Sequence, residues 1–393
     1  MSENNDPLLT RWAHIQSSLF PWLREEVDPC TAALEQLIIV LDTIGLEAYV
    51  PGPPRGGRGR MPEDRRAIAR AFVAKAVLNL PTTAALIERL QVDRALRRIC
   101  GWESRRAVPS EATFSRAFAE FAAGELPARL HAALVQRSLA GHIVGCIARD
   151  ATEIEAREKP ARKDDPPPPP STPAAPRKRG RPKKGEERPK DPTRLERQLG
   201  QTLDQMLAEL PSVCDVGCKI NSKGYKESWI GYKLHIDVAG GQIPVSCILT
   251  SASVHDSQVA IPLMTLTGQR VPYLYDLMDA AYDASTIIEK SRALGHVPVV
   301  DHNFRRRTDL KAEVKAEAQR RDRLNIVDPD QILYNFRTMA ERVNARLKDE
   351  FGARFLRVRG PLKVKCHLMF GILALTVDQI FRAVFPDPRT ARS

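Results

Sequence analysis

The sequence lacks the features that mark secreted, disulfide-bonded and membrane-spanning proteins. Its 7 cysteines are scattered and form no paired framework, which excludes a disulfide scaffold and favours a reducing, cytoplasmic compartment. The N-terminal residues show no charged segment followed by an apolar run, so we expect no secretory signal. The longest apolar run, residues 368–377, is far shorter than the roughly 20 residues that span a bilayer. We therefore expect a soluble protein with no membrane partner.

Acidic residues are in the minority. The 393 residues include 60 Lys and Arg against 48 Asp and Glu, which gives a formal net charge of +12. Such an excess favours a polyanionic partner such as nucleic acid, although it carries no information about fold. The length allows two or three domains with sizeable cores.

Residues 1–138 have the pattern of a helical region. Apolar side chains recur at helical spacing in residues 34–41 and 68–76, and residues 82–122 are typical of a run of short helices. Ser110 is a good N-cap for the last of these helices. The region is interpreted either as a helix-turn-helix that contacts DNA or as a helical bundle for dimerisation, and the sequence leaves both open.

Residues 139–385 alternate between strands and helices. An apolar strand ends at Asp150, and two strands joined at Gly240 and Gly241 form a predicted hairpin. A helix, a strand ending at Asp279, a helix, a strand and a mostly helical remainder follow. This order predicts an α/β fold, a ribonuclease-H-like mixed sheet with flanking helices, preceded by the all-helical N-terminal domain. Residues 386–393 are a tail.

A proline-rich basic segment, residues 160–195, interrupts the α/β region. It contains five consecutive prolines and a run of Lys and Arg, so it cannot bury enough apolar surface to order itself and is predicted to be a disordered linker. Arg179 and Arg181 belong to an Arg-Gly-Arg-Pro sequence, an AT-hook-like motif whose arginines can enter a narrow A·T minor groove. A generic solubilising linker is the alternative.

Two acids, Asp150 and Asp279, follow strands that are predicted to be buried. A carboxylate at a strand's end can face a cleft while the strand itself stays in the core. Grouped carboxylates of this kind hold the two Mg²⁺ ions that in-line phosphodiester displacement uses. An acid after a strand also serves as a simple turn cap, so this pattern alone leaves the role open.

A predicted helix over residues 334–350 carries two stripes of side chains. At about 100° per residue, one stripe is polar and the other is apolar and suited to packing on the sheet. The polar stripe consists of Tyr334, Arg337, Glu341 and Lys348, and the apolar stripe of Phe336, Ala340, Val343 and Leu347. A solvated face with an ion pair between Arg337 and Glu341 is the alternative interpretation of the polar stripe.

The spacing of the polar stripe, Tyr-x2-Arg-x3-Glu-x6-Lys, resembles the motif around the third acid of bacterial insertion-sequence DDE transposases. The segment ARDAT at 148–152 is similar to that family's first-acid strand, and LMDAAYDA at 277–284 is similar to its second-acid block. The resemblance covers roughly residues 140–385. The family often has Asp-Lys-Gly-Tyr-Asp at the second acid, where this chain has Ala280 and Ala281.

The resemblance implies a transposase that cleaves DNA at the ends of an insertion sequence and joins the 3′-hydroxyls to target DNA. Asp150, Asp279 and Glu341 would bind two Mg²⁺ ions, for which Mn²⁺ substitutes, and Tyr334, Arg337 and Lys348 would contact DNA. Expected partners are double-stranded DNA and further copies of the chain, in a homodimer or larger assembly. A non-catalytic DNA-binding protein derived from such an element and a ribonuclease-H-like nuclease without strand transfer remain alternatives.

A cluster of basic residues follows the predicted helix. It either lines a track for DNA phosphates or forms an exposed basic edge, and the sequence does not decide between the two. The cluster consists of Arg354, Arg357, Arg359, Lys363 and Lys365.

Overall fold

A computed structural model of the chain describes residues 30–52, 62–139, 141–161, 191–220, 223–304, 308–326 and 329–384. Its N-terminal part is helical, as predicted, and its helices enclose an apolar core. Leu34, Leu37, Ile38, Ile68 and Phe72 are all buried there. The helices are α1 (Ala32–Ile44), α2 (Arg65–Val77), α3 (Thr83–Val92), α4 (Arg94–Cys100), α5 (Glu111–Ala123) and α6 (Leu126–Leu139).

Short polar and glycine residues set the ends of these helices. The Thr82 hydroxyl accepts a hydrogen bond from the Ala85 amide and so caps α3. Gly101 ends α4 in the left-handed conformation, with φ 111°. Ser110 occupies the N-cap position of α5 as predicted, but its hydroxyl lies 3.3 Å from the Thr113 hydroxyl and forms no capping bond to the backbone.

A mixed six-stranded sheet follows, in the order β2-β3-β1-β5-β6, with β4 also paired to β3. This confirms the predicted ribonuclease-H-like arrangement, and one strand, β2, was not predicted from the sequence. β1 pairs antiparallel with β3 and parallel with β5. The strands are β1 (Val144–Glu155), β2 (Asp215–Ile220), β3 (Lys226–Ala239), β4 (Ile243–Ser251), β5 (Tyr273–Met278) and β6 (Val297–Val300).

The predicted hairpin is present between β3 and β4. Its turn covers Gly240–Gln242, and Gly241 has a φ of 75°, a conformation that glycine adopts at little cost. The hairpin therefore reverses the chain where the two adjacent glycines predicted it.

Helices cover both faces of the sheet. α13 packs against β1 and β3 on one face, whereas α9 packs against β3 and β4 on the other. These helices are α7 (Arg194–Gln198), α8 (Leu203–Glu209), α9 (Ser257–Gly268), α10 (Ser285–Ala293), α11 (Thr308–Arg323), α12 (Pro329–Asn335), α13 (Thr338–Asp349) and α14 (Pro361–Val384). Because α7 begins at Arg194, the last two residues of the segment predicted as disordered, residues 160–195, are helical.

α14 joins the helical part to the sheet. It packs against α1, α2, α5 and α6 and also against β4, so one continuous apolar core runs through both parts. By length and composition, residues Pro361–Ala383 could cross a bilayer, although the expected apolar run was much shorter. Of the most apolar window in this helix, 72% is buried inside the protein, the arrangement of a core helix.

Candidate active site

Asp150 and Asp279 lie at the same level of two adjacent parallel strands. Ala148 on β1 is the register partner of Leu277 on β5, and each aspartate follows its partner residue by two positions. Side chains two residues apart point to the same face of a sheet, and neighbouring strands are about 4.8 Å apart. The fold therefore brings together two of the three predicted acids.

The two aspartates differ in their local setting. Asp279 comes directly after β5, as predicted, and its carboxylate accepts a 2.9 Å hydrogen bond from the Ala281 amide. The prediction that Asp150 ends its strand was wrong, because β1 continues to Glu155. The additional residues of β1 pair with β3 as far as Gly231, whereas the pairing of β1 with β5 ends at Ala148, so Asp150 lies inside a strand that is paired with β3 at this point.

Negative charge is concentrated around Asp150. Burial raises the pKa of Asp150 to about 6, with further contributions in the same direction from Asp279 and Glu341, while the Ala151 amide and Arg337 oppose the shift. Burial also raises the pKa of Asp279. All three predicted acids are thus close enough to influence one site electrostatically, and a bound cation would relieve their repulsion.

Glu341 belongs to the helix that packs over β1, and its carboxylate is paired with Arg337. Its Oε1 lies 2.6 Å from Nη2 of Arg337, and 52% of its side chain is exposed. Asn344, three residues further along α13, donates a 3.0 Å hydrogen bond from its amide to Oδ2 of Asp150. Residues three apart share a helix face, so Glu341 lies about one turn from the contact with Asp150.

The predicted continuous helix over residues 334–350 was wrong, because the chain forms α12, a tight turn at residues 336–337, and then α13. In the turn the amides of Phe336 and Arg337 bond to carbonyls three residues earlier, at 3.0 and 2.9 Å, instead of four residues earlier. Tyr334 therefore belongs to α12 and the other three motif residues to the turn and α13. Arg337 keeps right-handed helical angles, and its guanidinium carbon lies 5.6 Å from the centre of the Tyr334 ring.

The predicted apolar stripe is correct only on α13. Ala340, Val343 and Leu347 are fully buried, whereas Phe336 is 49% exposed. The turn at residues 336–337 removes Phe336 from the buried face, and Met339 is buried instead.

Lys348, predicted to contact DNA, is held by an acid of the protein. Its Nζ lies 2.9 Å from Glu153 on β1, and Lys219 on β2 reaches the same carboxylate at 3.0 Å. Burial works against ionisation of Glu153, yet hydrogen bonds from the two lysines lower its pKa to about 2. Lys348 can thus bind a phosphate only by exchanging Glu153 for it or by sharing its charge between the two.

The donor chemistry of the three acids suits a hard divalent cation, which prefers carboxylate oxygens. In the parts of the chain that the structure describes, however, no three Asp, Glu, His or Cys side chains are arranged to hold a metal ion. In the structure Glu341 is paired with Arg337, and Asp150 accepts a hydrogen bond from Asn344.

A buried charged cluster is centred on Arg149, the neighbour of Asp150 on β1, and was not predicted. Arg149 forms two hydrogen bonds with Asp237, of 2.9 and 2.8 Å, and one of 3.3 Å with Asp276, and all three side chains are fully buried. Thr267 on α9 and Ser291 on α10 donate to the two carboxylates. The cluster links β1, β3 and β5. The sequence signal for this cluster was the presence of charged residues within otherwise apolar strands, because a charge that is buried has to be paired.

The remaining predicted DNA contacts fall into two groups. Arg179 and Arg181 lie outside the described residues. Within the basic cluster after α13, Arg354 pairs with Asp349 and Lys365 pairs with Glu125, so these two are exposed ion pairs. Arg357, Arg359 and Lys363 instead line a cleft beside the helical part of the chain.

Two family models match the chain. The one described as "Transposase DDE domain" matches residues 146–377, which include all three predicted acids, and the one described as "Transposase domain (DUF772)" matches residues 27–120. No curated protein and no solved structure matches the sequence. The first match covers more than half of the chain, which is enough to assign its family.

Proposed function

The chain belongs to the transposase DDE-domain family, and we propose that it cleaves DNA at the ends of an insertion sequence and joins the freed 3′-hydroxyls to target DNA. Membership in this family makes the chain a transposase, an enzyme that acts on DNA with divalent metal ions. The proposal adds the reaction steps and the residues that carry them.

We assign Asp150, Asp279 and Glu341 as the catalytic carboxylates and metal ligands. The observation that carries this assignment is the shared level of Asp150 and Asp279 on adjacent parallel strands, with the Glu341 helix bonded to Asp150 through Asn344. Burial makes ionisation of both aspartates unfavourable, a property expected where a cation is to be bound.

The proposed ion is Mg²⁺, with two ions in each site and Mn²⁺ as a substitute, since both favour oxygen donors. When bound, two such ions would activate the attacking water or 3′-hydroxyl and stabilise the leaving oxygen. Glu341 would join the two aspartates by leaving Arg337. The released guanidinium, half-buried beside the Tyr334 ring, then has its donors free for a DNA phosphate.

Double-stranded DNA is the proposed partner along this surface, with Tyr334, Arg337 and Lys348 as its contacts near the acids. We further propose that residues 1–138 act in DNA binding or dimerisation and residues 139–385 in catalysis. The active species on DNA would be a homodimer or a larger assembly, at the nucleoid in the cytoplasm. The family and the positive charge of the chain support these assignments.

The test combines binding and cleavage of DNA carrying the inverted repeats that flank the reading frame. Asp150→Ala, Asp279→Ala and Glu341→Ala are each expected to abolish Mg²⁺-dependent cleavage without weakening DNA binding, because each removes a ligand and no basic group. Glu341→Ala also releases Arg337, so its DNA affinity should equal or exceed that of the unsubstituted chain. Glu289→Ala, at an exposed position on α10, removes one acid elsewhere and is expected to cleave normally. Near-normal cleavage by any one of the three variants would remove that residue from the site.

A strand-transfer assay distinguishes the proposal from its alternatives. Pre-cleaved ends with free 3′-hydroxyls are incubated with a plasmid target, and joined products are scored on a gel. A ribonuclease-H-like nuclease would cut the flanked DNA and join nothing. A non-catalytic DNA-binding protein would bind the ends and do neither.

A further inference from the structure

A cleft separates the helical part of the chain from the segment that follows α13. It has a volume of about 560 Å³. One wall is formed by α2, α5 and the start of α3, and the other by Arg157, residues 351–363 and the first turns of α14. None of the three predicted acids lines it, so it is distinct from the candidate active site.

Lys75 on α2 lines this cleft and is the one charged residue on that helix that the fold buries. Only 7% of it is exposed, and it forms no hydrogen bond or ion pair with any residue that the structure describes. Burial lowers the pKa of Lys75 to about 8. Burial, and then the charge of Lys75, lower the pKa of His367 on the opposite wall to about 4. An unpaired buried ammonium is costly, so an anionic partner is the missing element.

The other charged residues of the lining are cationic, with one exception. Arg157, Arg357 and Lys363 are exposed and have no ion-pair partner within the described ranges, and Arg359 uses only its Nε, in a 3.1 Å bond to the Arg157 carbonyl. The one acid in the lining, Glu111, is exposed and does not pair with Lys75. By contrast, Arg354 and Lys365 from the same stretch of sequence are already paired with acids of the protein.

The start of α3 adds to the positive potential of the cleft. Thr82, Thr83 and Ala84, at the N-terminus of the 10-residue helix α3, line the cleft. The N-terminus of a helix carries a partial positive charge and amide groups without helical partners, which favour an anion. The N-terminus of α3 and the basic side chains of the lining therefore both favour the binding of an anion.

We propose that this cleft is a second DNA-binding site, in which Lys75 binds a phosphate group of the DNA backbone and Arg157, Arg357 and Lys363 bind neighbouring phosphates at the rim. The inference rests on the proposed function for the identity of the polyanion. The cleft is lined by residues of both matched regions, 27–120 and 146–377. A duplex bound in it would therefore contact the helical part and the catalytic part of the chain.

The test compares Lys75→Met with Lys290→Met. Methionine fits the apolar surroundings of Lys75 and removes only its charge, whereas Lys290 is on α10, which packs against α9 and β6. Affinity for a fluorescein-labelled duplex is measured by anisotropy over a series of salt concentrations, with Ca²⁺ in place of Mg²⁺. Lys75→Met is expected to weaken binding about threefold to tenfold and to lower the salt slope by about one ion, and Lys290→Met to change neither.

An unchanged affinity and salt slope in Lys75→Met would overturn the proposal, whereas no binding by the unsubstituted chain would overturn the proposed function. If inorganic phosphate raises the Tm of the unsubstituted chain but Lys75→Met binds duplex normally, the site serves soluble phosphate and the assignment to DNA fails. Should Lys75→Met not fold, the exposed substitutions Arg357→Ala and Lys363→Ala must each lower the salt slope for the proposal to stand.

Discussion

Asn344 on α13 donates a hydrogen bond of 3.0 Å from its side-chain amide to the carboxylate of Asp150 on β1, 194 residues away. The bond joins the helix of the third acid to the strand of the first. It also occupies one oxygen of Asp150 and so fixes the orientation of that carboxylate. We therefore propose that Asn344 positions Asp150 and Glu341, two of the three proposed catalytic acids.

Asn344→Ala is expected to lower the cleavage rate about tenfold, the effect of losing one hydrogen bond to a charged group. It should also raise the Mg²⁺ concentration needed for half-maximal cleavage, with DNA affinity unchanged. Gln331→Ala is the matched control, because it removes an amide hydrogen bond of the same 3.0 Å length on the exposed surface of α12. An unchanged Mg²⁺ dependence in Asn344→Ala would mean that the bond has only a structural role.

Glu341 and Glu350 allow a test of the third acid with a closely matched control. Each accepts a 2.6 Å ion pair from the arginine four residues earlier, and their side chains are 52% and 49% exposed. Glu341→Gln is expected to lose cleavage, because glutamine keeps the shape and removes the charge that a hard cation needs. Glu350→Gln should remain active. Activity in the first variant with loss in the second would transfer the role to Glu350.

The sequence predicted elements wherever local pattern and long-range packing agree. Adjacent glycines predicted the β3–β4 turn, and the alternating pattern predicted the order of strands and helices along the chain apart from β2. β2 was missed because it is an edge strand with exposed apolar residues, Val216 and Ile220, whose formation depends on pairing with β3. Edge strands of this kind have little periodicity of their own.

The sequence supplied candidate acids by residue type and spacing, but not the geometry around them. Helical periodicity continues through residues 334–350, so the local pattern contains no signal for the tight turn at residues 336–337. Asp150 was expected at the end of a strand, since a short apolar run ends there, but pairing with β3 extends β1 by five residues. Such pairing involves residues more than 75 positions away and leaves no mark on the local pattern. The role of Asn344 depends on the same long-range packing.

Asp150 should destabilise the metal-free protein at neutral pH. Its folded-state pKa of about 6 lies above the roughly 3.9 of an unfolded aspartate, so the folded state binds the proton more tightly. The free energy of unfolding therefore falls as pH rises from about 4 to about 6 and stays lower above that. Asp150→Asn is expected to stabilise the protein by about 2 kcal/mol at pH 7 in EDTA and by much less at pH 4. Urea unfolding of both proteins at the two pH values measures this, and an equal difference at both would contradict it.

The buried cluster centred on Arg149 has one cation for two acids. Asp237 forms the two shorter bonds to Arg149, while Asp276 forms a single bond of 3.3 Å. Asp237→Asn is expected to cost about 3 to 5 kcal/mol of folding free energy, because it breaks the principal pair of a fully buried arginine. Asp276→Asn removes the surplus negative charge and should cost about 1 kcal/mol or less. Chemical denaturation of the two variants decides the order, and a larger loss in Asp276→Asn would reverse the assignment.

The proposed contact of Lys348 with DNA has to compete with Glu153, so removal of this acid should strengthen DNA binding. In the structure each lysine lies within 3.0 Å of the Glu153 carboxylate, so both must give up or share that acid to reach a phosphate. Glu153→Gln is expected to raise duplex affinity about threefold to tenfold and to steepen the salt slope by about one to two ions.

Glu155→Gln is the control that separates this effect from net charge. Glu155 lies two residues further along β1, is exposed and forms no ion pair with the residues that the structure describes, so the variant removes the same charge and frees no lysine. Its salt slope should stay close to that of the unsubstituted chain. Equal salt slopes for the two glutamine variants would show that Lys348 and Lys219 do not reach DNA.

The stability of Glu153→Gln is a second measurable consequence of the same ion pairs. Because the pKa of Glu153 is lowered to about 2, its contribution to stability is present above about pH 4 and is lost as pH falls toward 2. The variant should therefore be less stable than the unsubstituted chain at pH 7, and the difference should shrink in acid.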